Sequence, residues 1–211
     1  MRPNPGPGRF IIVEGLDGAG ATTQVLLLDK RLSESRPVYV TNEPSDGPIG
    51  LQIRQVLEHR VKASPATLAA LFAADRLDHL YHRVGNGGIL AHLERDIDVL
   101  TDRYYLSSFA YQGMNLDWQW IWDMHAGCIL PDVTIFVDVP VEVCLARIQA
   151  RIASGRGGQY DLFENRKALS RARESYLQAI DRLSQHETIT IVDGDAPPAQ
   201  VHAAIWRTLE R

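Results

Sequence analysis

Lysine is scarce in this chain, which has only Lys30, Lys62 and Lys167 among 211 residues. Cysteine is scarcer still: Cys128 and Cys144 stand alone, without CxxC spacing. That excludes a disulfide framework and a thiolate metal site, and it fits a reducing, cytoplasmic compartment. No apolar run approaches the ~20 residues needed to span a membrane, so no membrane partner is expected. Neither sign of charge dominates, the formal net charge being −4. No global basic field is there to gather nucleic acid, and any phosphate must be gripped locally. The first eight residues are rich in Pro and Gly and lack the apolar stretch of a signal peptide. They are expected to form a disordered tail, residues 1–8, ahead of a single domain at 9–211.

What is present is an alternation of short apolar runs and helical patterns. Hydrophobic residues make up 45% of the chain, ordinary for one sizeable folded domain. Strands are expected at Arg9 to Glu14, Pro37 to Asn42, Ile97 to Thr101, Val133 to Val137 and Thr188 to Val192. Helices are expected at Thr22 to Ser35, Ile49 to His59, Pro65 to Val84, and near 104–113, 117–128, 140–152, 163–184 and 197–210. Strands alternating with helices predict an α/β fold, a five-stranded parallel sheet with helices on both faces. In such sheets ligands bind beyond the carboxyl ends of the strands. The segments after Glu14, Asn42 and Thr101 are therefore where chemistry is expected.

The first strand runs into Gly15-Leu16-Asp17-Gly18-Ala19-Gly20-Ala21-Thr22-Thr23 and then into a helix. The phosphate-binding loop pattern is GxxxxGK followed by Ser or Thr. Gly15, Gly20 and Thr22 match it, and Ala21 stands where the lysine belongs. Glycines let backbone N–H groups curl round phosphate oxygens, and the helix N-terminus adds positive potential. The hydroxyl of Thr22 is placed for Mg²⁺. The plainer alternative is a Gly-rich strand-to-helix turn that binds nothing.

At this point the chain resembles the thymidylate kinase family of P-loop nucleoside monophosphate kinases. VEGLDGAGATTQ at 13–24, NEPSDGPIG at 42–50, LFAADR at 71–76, TDRYYLSSFAYQG at 101–113 and PDVTIFVDVP at 131–140 carry the resemblance. So do the stretch around 147–164 and VDGD at 192–195. The pattern departs at Ala21, and at Asn42, where the family usually has Arg. The resemblance implies a P-loop kinase domain with a small lid at about 153–162, ATP and dTMP as substrates, Mg²⁺ as cofactor, and a homodimer. It implies that Gly15, Gly18, Gly20, Ala21, Thr22 and Thr23 surround the ATP phosphates. Phe72, Arg76, Arg103, Ser108, Tyr111 and Gln112 would hold dTMP, with Phe72 stacked on the base and Tyr111 against C2′ of the sugar. Asp17, Asp102, Arg147, Arg151 and Arg156 would be catalytic, and Thr22 and Asp102 would bind the metal.

The residues themselves allow plainer readings. Phe72 and Arg76 are spaced i, i+4 and share a helix face, so Phe72 could be core while Arg76 pairs with Asp75 or Glu58. Asp102 and Arg103 could form a surface pair, and Asp17 could stabilise a turn. Trp118, Trp120 and Trp122 suit core packing or a dimer surface. Ala21 leaves three readings open. It is an introduced change in an ordinary kinase, or a native residue whose charge is supplied by Arg147, Arg151 or Arg156, or the mark of a relative that binds nucleotide without turnover. A kinase for another deoxynucleotide, such as dUMP, is a further alternative.

Overall fold

A computed structural model describes residues 1–85, 87–155 and 162–210. Five strands form one sheet: β1 (Phe10–Gly15), β2 (Val38–Asn42), β3 (Asp98–Asp102), β4 (Val133–Asp138) and β5 (Ile189–Asp193). Their order is β2-β3-β1-β4-β5, and every neighbouring pair is parallel. All six residues of β1 are buried, which requires cover on both faces of the sheet.

Nine helices appear among the described residues: α1 (Ala21–Leu32), α2 (Pro48–Leu57), α3 (Pro65–Tyr81), α4 (Ile89–Leu93), α5 (Tyr105–Tyr111), α6 (Trp118–Met124), α7 (Val141–Ala153), α8 (Arg166–Leu183) and α9 (Pro198–Leu209). Local chemistry sets several starts. Ser64 caps α3 by accepting from Thr67 N at 3.0 Å, with Pro65 behind it in the first turn. Asn165 caps α8 by accepting from Ala168 N at 3.0 Å, so that helix starts at 166 and not at 163.

Two features differ from expectation. α4 was not expected; it is one short buried turn between Gly88 and β3. Residues 1–8, expected to be disordered, are tied down. Arg2 N donates to Cys128 O at 3.2 Å and Leu130 N to Arg2 O at 2.7 Å, while Asn4 Nδ2 donates to Asp132 Oδ2 at 2.9 Å. Here the glycines serve close approach: a Cβ on Gly8 would lie 2.3 Å from the Ile97 carbonyl oxygen. Of the expected lid at 153–162, residues 156–161, including Arg156, lie outside the described residues. Among the tryptophans, Trp118 and Trp122 pack on the core, Trp118 lying 4.2 Å from the Phe109 ring, whereas Trp120 is 40% exposed.

Candidate active site

β1 and β3 lie side by side and deliver their C-terminal loops to the same edge. After β1 the chain turns through Gly18 and Gly20, at φ 82° and 95°, a left-handed backbone that glycine adopts without steric cost. Gly18 is also tight: a Cβ there would sit 2.5 Å from the Cys144 carbonyl oxygen. Gly15 stays inside β1, buried, with the Val137 carbonyl 3.1 Å from where its Cβ would be. The loop opens α1 at Ala21, which is 8% exposed. Gly18, Gly20, Ala21, Thr22 and Thr23 line a solvent-open groove of about 1590 Å³, together with Asn42, Asp102, Arg147 and Arg151.

Thr22 and Asp102 meet at the floor of this groove, the hydroxyl donating to Oδ2 at 2.5 Å. The Asp102 carboxyl has its pKa raised, mainly by burial and also by Asp17, while Arg103 and Thr22 oppose the shift. One carboxylate and one hydroxyl are hard oxygen donors of the sort Mg²⁺ accepts while keeping waters and phosphate oxygens.

A second, more enclosed cavity adjoins the groove. All six residues expected around dTMP line it: Phe72, Arg76, Arg103, Ser108, Tyr111 and Gln112. Asp17, Glu43 and Arg103 belong to both walls, so the two spaces meet at these three side chains. Asp17 accepts from Arg103 Nη2 at 2.7 Å and from the Tyr111 hydroxyl at 3.0 Å. Burial, reinforced by Asp17, raises the Tyr111 pKa and keeps the phenol protonated as a donor. Phe72 does double duty, lining the cavity while packing on the small cluster of Ile53, Val56 and Leu68.

Arg76 is 1% exposed and pairs with neither Asp75 nor Glu58. Its Nε donates to Glu43 Oε2 at 2.6 Å and its Nη1 to Ser108 Oγ at 2.9 Å. Asp75 instead accepts from Ser45, from the backbone N at 2.7 Å and the hydroxyl at 2.6 Å, and so fixes the loop after β2. Asp102 and Arg103 form no pair with each other, the partner of Arg103 being Asp17.

The described lid-side arginines are held differently. Arg147 Nη1 donates to the Ala19 carbonyl at 3.1 Å and its Nη2 to the Gly194 carbonyl at 3.2 Å. Its guanidinium thus braces the loop from the carbonyl side. Arg151 lines the groove and pairs with Glu164.

The family model described as thymidylate kinase matches residues 13–205. The chain belongs to the thymidylate kinase family. Among its relatives, the thymidylate kinase of Thermomicrobium roseum is 41% identical over 207 residues, covering 95% of this chain and 93% of the relative. That of Nitrosomonas europaea is 36% identical over 216 residues, covering 96% and 93%. That of Carboxydothermus hydrogenoformans is 33% identical over 214 residues, covering 96% and 97%.

For a thymidylate kinase, the site holds residues that no sequence pattern had singled out. Glu14 is fully buried and accepts from Tyr104 N at 2.8 Å, Ser107 Oγ at 2.6 Å and the Tyr176 hydroxyl at 3.0 Å. Burial raises its pKa against these donors and Arg103. It ties β1 to the loop after β3, where Arg103 has φ 73°. A non-glycine residue in that region carries strain of about 1–3 kcal/mol and persists only when its surroundings enforce it. The run VEGLDG contains Glu14, but its partners lie about 90 residues or more away in sequence. Glu43, the partner of Arg76, is visible in the sequence only as one residue of the NEPSDGPIG run at 42–50.

Proposed function

We propose that the protein transfers the γ-phosphoryl group of ATP to dTMP, giving dTDP and ADP. The observation that carries this is the shared wall. A cavity lined by the six acceptor-type residues opens through Asp17, Glu43 and Arg103 onto the phosphate loop. Phosphoryl transfer asks a protein mainly for alignment and charge stabilisation. In this reading Phe72 stacks on thymine, Arg76 donates to a base carbonyl, and Arg103 grips the acceptor phosphate bidentately. Asp17 holds Arg103 and Tyr111 so that the acceptor oxygen faces the loop. The N–H groups of Gly18 to Thr23 orient the donor phosphates. Thr22 and Asp102 would hold Mg²⁺, which when bound neutralises charge on the phosphate oxygens. A homodimer and a cytoplasmic location belong to the same proposal, on the strength of the family.

A slow kinase is favoured over a fast one by Ala21. Arg147 commits donors to loop carbonyls and Arg151 is paired with Glu164, so neither supports a ready substitute for the lysine. The catalytic assignment of Arg147, Arg151 and Arg156 remains part of the proposal. A coupled ADP-release assay across dTMP, dUMP, dCMP, dGMP and dAMP tests the reading. Turnover greatest with dTMP supports it. Binding of both nucleotides without ADP release replaces it with a nucleotide-binding protein.

A further inference from the structure

α6 ends at Met124 and the next residue, His125, is 1% exposed. Its ring lies among aromatic neighbours, with centroids 6.4 Å from Tyr105 and 6.1 Å from Phe109. Its two nitrogens have different partners. Nδ1 is 2.7 Å from the Ile121 carbonyl oxygen. A carbonyl only accepts, so Nδ1 carries the proton and Nε2 presents a lone pair. The group that faces Nε2 is Nη1 of Arg76, which only donates. Burial, and then the charge of Arg76, push the imidazole down to about 3, so the ring is neutral near pH 7.

Arg76 is thereby held on several sides. Glu43 takes Nε, Ser108 and His125 take Nη1, and the Tyr104 carbonyl takes Nη2 at 3.2 Å. A guanidinium has five N–H donors. Four have partners within the protein among the described residues, and one on Nη2 is left for a ligand. Glu43 supplies the compensating charge. His125 supplies an acceptor without adding a second negative charge beside a site meant for an anionic monophosphate.

We propose that His125 is a positioning residue, whose Nε2 lone pair fixes the plane of Arg76 so that its remaining donor is presented to the base of the acceptor nucleotide. This rests on the reading of the enclosed cavity as the dTMP site. His125 touches no substrate; it acts through Arg76. The loop that follows it is itself anchored: Cys128 N donates to His125 O at 2.9 Å, and Arg2 N to Cys128 O at 3.2 Å.

The test is calorimetric, with dTMP and a non-hydrolysable ATP analogue as separate ligands, on the full chain. His125→Phe keeps an aromatic ring in an aromatic site and removes the acceptor. It is expected to raise the Kd for dTMP about tenfold, the ratio that one hydrogen bond to a charged group carries, and to leave the analogue's Kd unchanged. His125→Gln, which restores an acceptor near the Nε2 position, is expected to recover most of the loss. An unchanged dTMP affinity in folded His125→Phe overturns the proposal, and so does equal weakening of both ligands without rescue by His125→Gln. Should His125→Phe fail to fold, the ¹⁵N shifts of the His125 ring in the unaltered protein decide. The neutral Nδ1–H form is required, and an Nε2–H form overturns the proposal because that nitrogen could not accept. Arg76→Met separates the two levels. If it leaves dTMP binding unchanged, the cavity is not the base site; if it weakens binding while His125→Phe does not, only the role of His125 falls.

Discussion

Arg103 donates from Nη2 to Oδ1 of Asp17 at 2.7 Å, and the pair forms part of the wall between the enclosed cavity and the phosphate-loop groove. An arginine at this boundary can serve an acceptor phosphate only if something else fixes it, and Asp17 does. Arg103→Ala is expected to weaken dTMP binding by about 1.5–3 kcal/mol, the range for a charge-assisted hydrogen bond. Calorimetry checks it, and unchanged affinity refutes the assignment. The backbone adds an independent expectation. With φ at 73°, Arg103→Gly should be more stable than Arg103→Ala by roughly 1 kcal/mol in denaturant unfolding, since only glycine sits there unstrained.

Tyr111 offers two separable effects. Its hydroxyl donates to Asp17 Oδ2 at 3.0 Å, and its ring packs 5.0 Å from Phe163 while lining the cavity. If ring volume excludes a 2′-hydroxyl, Tyr111→Phe should keep the preference for dTMP over ribothymidine monophosphate, and Tyr111→Ala should lose it. Competitive binding of the two nucleotides measures this. Loss of preference already in Tyr111→Phe would assign discrimination to the hydroxyl instead of the ring.

Glu187 gives a pH dependence with a defined sign. Burial pushes its carboxyl up to about 7, with the Tyr105 hydroxyl, donating at 2.6 Å, pulling the other way and Glu14 adding to the rise. The folded state therefore holds this proton more tightly than the unfolded chain does. The associated stability is present below the ordinary carboxylate range and is lost as pH rises through about 7. Glu187→Gln should flatten that part of the stability profile and raise stability at pH 8 by about 2 kcal/mol. Denaturant unfolding between pH 5 and pH 8 checks it, and a variant with the parent's slope would refute it.

Most of the frame was legible because it is written locally. All five strands are short apolar runs, and each appears within a residue or two of its expected bounds. α4 was illegible because the five residues of Ile89–Leu93 are too few to show a helical period. The N-terminal segment misled for a different reason. Gly6 and Gly8 there permit close approach to Leu93 and Ile97, a long-range fact. In the site, the shared helix face of Phe72 and Arg76 could be read from spacing. That Arg76 pairs with Glu43, and that His125 and Glu14 matter at all, could not, because their partners are about 30 to 160 residues distant in sequence.

Ala21 stands where the general phosphate-loop pattern has lysine, and it supports the sharpest expectation. The residue opens α1 and lines the groove, and the loop before it keeps Gly18 and Gly20 in the left-handed backbone that the turn needs. Ala21 belongs to the buried core cluster and also lines the groove, so a lysine there is expected to turn its chain out along the groove and Ala21→Lys to fold. If the chain is otherwise a working kinase, the added charge should raise kcat for dTMP phosphorylation by ~10²–10³, the usual worth of one preorganised donor to a developing anion. The Kd for dTMP should hardly move, because the enclosed cavity is lined by other residues. If arginines have taken over the charge, Ala21→Lys should change little, and Arg151→Ala or Arg156→Ala should abolish the parent's activity. Arg147→Ala should act differently from either. It removes donors to the Ala19 and Gly194 carbonyls, so it should loosen the loop and weaken ATP binding before it affects the chemical step. A protein that binds both nucleotides, accepts Ala21→Lys without unfolding and still releases no ADP is not a kinase, and that result would leave the nucleotide-binding reading in its place.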